Sequence, residues 1–345
     1  AFPDALAEQL RARIRRAAPA EVPTDVGVMI IDLASGARLG IGEKTVMHAA
    51  STMKVPVLIE LFRQASAGRF ALDSPVVVYN EFTSIADGSR YTLSADDDGE
   101  QALYGLVGRT TTYRDLARRM IVRSSNLGTN ILIDRVGADS VAATMHRIGA
   151  DGMRVLRGVE DGPAFRAGMN NTATAEALAL SLEAIARCAD DGRIPLAPAA
   201  IPDLGLDPEE CRDMVEILAA QEFNDMIPAG LPAGVRVAHK TGSITHIRHD
   251  GGIVYPPGRA PYIIAVLTRG FDDENAAALV ADLSRLTWDA ITGTPPITTP
   301  ADPTARELLS IHAHHRIPTL AGRRFDHATL WSTIAPIIDA APALQ

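Results

Sequence analysis

The sequence predicts an α/β lobe packed on an all-helical lobe. Two β-rich stretches lie early in the chain and three lie late, and the block between them reads as helical. A sheet assembled from both chain ends follows: an antiparallel five-stranded sheet flanked by helices, drawn from residues 1–50 and 195–292. Residues 51–194 would form the helical lobe, and the site would lie between the lobes. At 345 residues, with 47% apolar side chains, the chain can bury a core of that size.

The elements are justified in order. Residues 3–17 carry Leu6, Leu10 and Ile14 at helical spacing, and Pro19 and Pro23 end that helix. Residues 26–33 are β-rich and lead through Ser35-Gly36, a turn signal, to a second strand near 38–44. Ser51 opens a helix that runs to about Ser66, with Gly68 as the stop. Residues 80–105 are irregular and acidic, with Asp96, Asp97, Asp98 and Glu100 close together; a solvated loop is expected. Thr112 with Asp115 three residues on marks a helix start, and that helix runs to Arg123. After Ser124-Ser125-Asn126 a further helix ends at Gly137, and another spans 140–149.

Residues 151–171 hold four glycines and a proline without periodicity, so a long ordered loop is expected, a feature usually tied to function. Thr172 begins an Ala/Leu helix that stops near Gly192. Asp207-Pro208-Glu209-Glu210 opens another, with a cap, a proline in the first turn and an acid at the third position. Strands are expected at 235–243, 250–255 and 261–268, then an amphipathic helix at 273–291. Residues 293–345 read as a Pro/Thr-rich linker and a helical tail.

A net charge of −9 argues against a nucleic-acid surface, and no apolar run approaches the length that spans a bilayer. The chain opens at Ala1-Phe2-Pro3, without Met or a basic-then-apolar leader, as a processed mature protein does. A periplasmic or secreted location and a monomer are therefore the expectation. Cys188 and Cys211 both fall in predicted helices and could pair if those helices are neighbours; two buried free thiols are expected. His312, His314 and His315, and likewise His246, His249 and Asp250, match no metal-ligand spacing, so neither a metal nor a cofactor is expected.

Three short motifs carry the chemistry: Ser51-Thr52-Met53-Lys54, Ser124-Ser125-Asn126 and Lys240-Thr241-Gly242-Ser243. Ser51 and Lys54, three apart on a helix, reach one another, and a lysine can take a serine's proton when burial or nearby positive charge lowers its pKa. Ser124 offers a second hydroxyl that can pass a proton to a leaving group. The Asn126 amide can orient Lys54 and a substrate amide. Gly242 lets a ligand approach a strand edge closely. The backbone N–H groups of Ser51 and Ser243 can then form an oxyanion hole, with Lys240 and Thr241 meeting a substrate carboxylate. Arg248 is a second carboxylate partner beside His246 and His249, and Tyr91 or Tyr104 could wall the pocket.

In the order and context of these motifs the chain resembles the class A β-lactamases, within the larger group of penicillin-recognising serine enzymes, over roughly residues 25–292. The resemblance implies the two-lobed fold, with Ser51 as acylated nucleophile, Lys54 as its base, Ser124 as proton shuttle, and Lys240 with Thr241 as carboxylate anchor. It implies a structural role for Asn130. It also implies that Glu160, in Arg157-Gly158-Val159-Glu160-Asp161, activates the water that releases the acyl group. The chain departs from the family pattern at four points. Arg157 stands three before the glutamate rather than two, and Ala164 stands where the family has an asparagine, for which Asn170 or Asn171 could substitute. The loop is about two residues shorter, and Ser125 replaces the motif's middle aspartate. The expected function is hydrolysis of β-lactams; the alternative is a D,D-peptidase, amidase or esterase acting on cell-wall peptides or small esters. A non-enzymatic β-lactam sensor would need a membrane segment to signal.

Overall fold

The computed structural model describes residues 2–293 apart from 20, 191 and 196–202. The expected helical tail, with His312, His314 and His315, lies outside the described residues. In chain order, α1 (Asp4–Ala17) precedes strands β1 (Asp25–Asp32) and β2 (Arg38–Ile41). Seven helices follow: α2 (Lys54–Ser66), α3 (Tyr113–Val122), α4 (Asn126–Val136), α5 (Ala138–Arg147), α6 (Gly162–Arg166), α7 (Ala175–Cys188) and α8 (Pro208–Ala219). Strands β3 (Arg236–Ile244), β4 (Ile247–Tyr255) and β5 (Tyr262–Arg269) and helix α9 (Asp273–Thr292) complete the described fold.

The five strands form one antiparallel sheet in the order β2-β1-β5-β4-β3. The N-terminal β1 is therefore flanked on one side by β5, in register from Asp25↔Arg269 to Asp32↔Tyr262. Successive residues of a strand face opposite sides. Val28 and Ile30 accordingly pack with Leu6, Leu10, Leu279 and Leu283 of the terminal helices, while Met29 and Ile31 join the core made with α2 and α7. Both faces are covered, so β1 is nearly continuously apolar rather than alternating. On the outer face Arg13 of α1 pairs with Asp282 of α9 at 2.6 Å.

The start signals read from the sequence act at α3 and α8. The Thr112 hydroxyl accepts from the Asp115 N–H at 3.1 Å, and Asp207 and Glu210 form a reciprocal capping box. Other boundaries differ from expectation. A 3₁₀ turn, Ala50–Met53, carries Ser51 before α2 begins at Lys54. Thr172-Ala173 pairs as a short strand with Met47-His48, and Thr174 caps α7 instead of Thr172. The loop at 151–171 contains α6. β4 begins at Ile247, three residues early, because Thr245-His246 closes a tight hairpin with His246 at φ +58°.

Two expectations are overturned by packing. Cys188 at the end of α7 and Cys211 in α8 are joined in a disulfide, their Cα atoms 5.8 Å apart, because the two helices are neighbours; they are not free thiols. The acidic stretch is not solvated throughout. Asp98 and Glu100 are buried, and Glu100 binds Arg119 at 2.9 Å and Arg123 at 3.4 Å.

Candidate active site

The 3₁₀ turn sets Ser51 half-buried at the mouth of α2, and Lys54 follows it into the core with no exposed surface. Ala50, at φ +46°, holds the turn, and its N–H donates to Nδ1 of His48 at 3.0 Å. The Lys54 ammonium lies within reach of four oxygens: Ser51 Oγ at 3.1 Å, Ser124 Oγ at 3.1 Å, the Ser124 carbonyl at 2.7 Å and Asn126 Oδ1 at 2.9 Å. Burial away from water lowers its pKa to about 7, against the opposing pull of Asp98 and Glu160. A lysine so tuned is neutral in a large fraction of molecules at neutral pH.

Ser124 comes from the turn between α3 and α4, and Asn126 is the first residue of α4. Ser124 adopts φ +59°, and its hydroxyl lies 3.1 Å from both Lys54 Nζ and Lys240 Nζ. Lys240, in the middle of β3, is fully buried, and its Nζ also donates to the Thr241 carbonyl at 2.9 Å. Burial, followed by the nearby Lys54 charge, pulls the Lys240 pKa well down. Gly242 lies against the mouth of α2, where a Cβ would stand 3.0 Å from the Ser51 backbone nitrogen and 3.1 Å from that of Thr52. Only glycine lets the strand edge come so near the serine's N–H.

Glu160 reaches the same cluster from the loop before α6. Its Oε1 accepts from Asn126 Nδ2 at 2.9 Å, so one amide joins Lys54 to Glu160. Burial raises the Glu160 pKa, opposed by that hydrogen bond. The loop is clamped by Asn130 of α4, whose Oδ1 accepts from Val159 N at 2.6 Å and whose Nδ2 donates to Val159 O at 3.0 Å. Glu160 itself sits at φ +62°. Among the described residues four non-glycines have positive φ, and three of them are Glu160, Ser124 and the neighbour of Ser51. Such backbone costs roughly 1–3 kcal/mol per residue and is characteristic of functional sites.

Several expected contacts lie elsewhere. Asn170 accepts from Arg157 Nη2 at 3.1 Å, and Asn171 fastens the backbone of 156–157, so both amides are engaged with the loop. Ala164, at the position where the resemblance implies an asparagine, is buried. His249 is not a pocket residue. It is buried, bonded to the His48 carbonyl at 2.9 Å and the Thr268 N–H at 3.1 Å, and burial drops its pKa to about 4. His246 stands in the exposed hairpin turn. Tyr104 holds Asp98 at 3.1 Å and Tyr91 backs Gly158, so neither walls the cavity beside Ser51.

That cavity, of about 490 Å³, is lined by Ser51, Ser124, Thr241, Ser243 and Arg248, and its far wall is the 222–226 segment. The segment went unread in the sequence. His239 secures it from behind: Nδ1 faces Asp250 at 2.9 Å and Nε2 faces Asn224 Oδ1 at 3.2 Å, while Asp250 accepts from Ile227 N at 3.0 Å. Asp98 was also missed as an individual residue. One of its oxygens accepts the N–H groups of Asn126 and Leu127, both at 2.9 Å, so it anchors the first turn of α4 where Ser125 caps Gly128. No cluster of possible metal ligands occurs among the described residues.

Fold and site together define a serine hydrolase. The chain belongs to the β-lactamase enzyme family, whose model matches residues 6–291. It is 29% identical over 275 residues to a β-lactamase of Streptomyces albus G, covering 74% of this chain and 81% of that protein. Its fold is similar to that of a β-lactamase from Sphaerobacter thermophilus DSM 20745, with a TM-score of 0.67 at 24% identity over 84% of this chain and 99% of the other. It is similar as well to the fold of PBP-A, with a TM-score of 0.66 at 24% identity over 85% and 100%.

Proposed function

We propose that the protein hydrolyses β-lactams through an acyl-enzyme on Ser51. The observation that carries this reading is the buried Lys54, 3.1 Å from Ser51 Oγ with a pKa near 7. Neutral Lys54 takes the hydroxyl proton as Ser51 Oγ attacks the ring carbonyl. The N–H groups of Ser51 and Ser243 hold the developing oxyanion, an arrangement supported by the close fit of Gly242 against Ser51. Ser124, between Lys54 and Lys240, delivers its hydroxyl proton to the ring nitrogen as the amide C–N bond breaks, and takes in return the proton that Lys54 removed from Ser51. Thr241, Ser243 and Arg248 line the side where the ring's substituent lies, and Asn126 orients the substrate amide. In the second half-reaction Glu160 removes a proton from water as it attacks the ester carbonyl, and that proton passes back to Ser51 Oγ as the ester C–O bond breaks and the free serine is restored. The α7–α8 disulfide supports an oxidising compartment, and with it export.

A second reading, a D,D-peptidase, amidase or esterase on cell-wall peptides or small esters, is favoured by one observation. With Ala164 buried and Asn170 and Asn171 engaged by the loop, Asn126 is the amide bonded to Glu160. A water there would be held with fewer partners, and the acyl group would leave more slowly. Intact-protein mass against time after adding a penicillin separates the two. An adduct that forms and disappears supports hydrolysis of β-lactams, and one that persists supports the second reading. Ser51→Ala should form no adduct; continued turnover by that variant would remove Ser51 from the mechanism.

A further inference from the structure

Arg248 is the cation among the side chains lining the cavity, and Glu222 and Asp225 are anions there. Its guanidinium is already occupied. Nη2 donates to the carboxylate of Asp225, Nη1 lies 3.3 Å from Ser243 Oγ, and Asp273 stands 4.0 Å away. The Nε is buried and has no hydrogen-bond partner among the described residues, so the contacts of the guanidinium run through Nη1 and Nη2. Asp225 is itself held in place, because the segment bearing it is fastened by Asn224 to His239 and by the Ile227 N–H to Asp250. Lys54 and Lys240 are buried behind the cavity, their ammonium groups directed onto Ser124, so Arg248 is the cation that a ligand there meets directly.

A substrate carboxylate arriving beside Thr241 and Ser243 therefore meets a cation that an internal carboxylate has neutralised, with a second acid at its back. We propose that Asp225 sets substrate preference by occupying Arg248, so that this end of the cavity selects ring or acyl substrates whose group there is uncharged over those bearing a carboxylate. The assignment rests on the acyl-transfer reading of the site and names the substrate class it takes. It makes Asp225 a specificity-determining residue, and its exposed position, with half its side chain open to solvent, means that replacing it need not disturb the core.

The test is a binding comparison that needs no turnover. Dissociation constants of benzylpenicillin and of its methyl ester would be measured calorimetrically on Ser51→Ala protein, with and without Asp225→Asn. Asp225→Asn is expected to tighten binding of the acid about tenfold and to leave the ester within twofold, because a charge is removed while the hydrogen-bonding outline is kept. Adding Arg248→Ala should erase the gain. An acid-to-ester ratio that stays constant, or an acid bound more weakly after Asp225→Asn, overturns the assignment; the second result would make Asp225 an orienter of Arg248. Failure of the acyl-enzyme reading is seen separately, as wild-type protein that gains no mass from penicillin, and the acid-to-ester ratio still decides the role of Asp225. Binding of neither compound by any variant would overturn both.

Discussion

At the scale of single residues, burial does the chemistry's preparation. Lys54 has traded hydration for four oxygen contacts, and its lowered pKa makes it a base where an exposed lysine would be an acid. Because the neutral amine is the reactive form, the acylation rate should rise with pH through about 7 and level off above it; pre-steady-state acylation from pH 5.5 to 9 measures this. In the proposed mechanism Glu160 acts as the carboxylate, and burial raises its pKa, so deacylation should also fail toward acid, and both halves of the reaction should lose rate in that direction. Glu160→Gln should acylate within a fewfold of wild type yet release the acyl group about 10²–10³ times more slowly, read as an adduct persisting by mass. Ser51, Lys54, Ser124, Asn126, Lys240 and Glu160 could be singled out in the sequence because short motifs and loop context mark them, and the fold brings them together. Asp98 could not be, since the amides it binds lie 28 and 29 residues on and an acidic run reads as solvated. Asp225 and His239 share that difficulty: their partners Arg248 and Asp250, on β4, lie 23 and 11 residues further along the chain.

Elements matter here through how closely they approach. β3 presses its Gly242 edge on the turn bearing Ser51, and Gly242→Ala would put a methyl group 3.0 Å from the Ser51 nitrogen. Acylation should fall about 10–100-fold while thermal stability changes little, a split that stopped-flow kinetics beside a melting curve would reveal. Asn130 ties α4 to the Glu160 loop by two hydrogen bonds to Val159. Asn130→Ala should slow deacylation roughly tenfold more than acylation, because Glu160 loses its position while Lys54 keeps its own. The helices at 112–122 and 207–219 were legible from caps that act within four residues. The hairpin at Thr245-His246 was not, because it has no glycine to announce its left-handed residue. Local chemistry signals its own turns, whereas contacts between elements leave little trace along the chain.

Over the whole molecule, one covalent link and one sheet define the assembly. The disulfide spans 23 residues, and replacing both cysteines by serine should cost about 3 kcal/mol on the chain-entropy estimate, seen as a lower melting temperature with unchanged kinetics at 25 °C. The sequence leaves that pairing open, because two cysteines in separate helices carry no sign that the helices touch. The sheet's composition from both chain ends was legible, since strand-like patterns recur on either side of a helical block. Its order has a consequence for how the protein is made. β1 pairs on one flank with β5, and Asp25 meets a partner 244 residues later. A ribosome delivers Ser51 and Lys54 early, but β3, β4 and β5 emerge only near the end of the described chain. Until then the nascent polypeptide has neither a completed sheet nor a floor for its pocket, and one edge of β1 stays without its late partner. The pocket is completed only once β3, β4 and β5 have emerged, and a fragment ending before residue 236 would carry Ser51 and Lys54 without the strand that faces them.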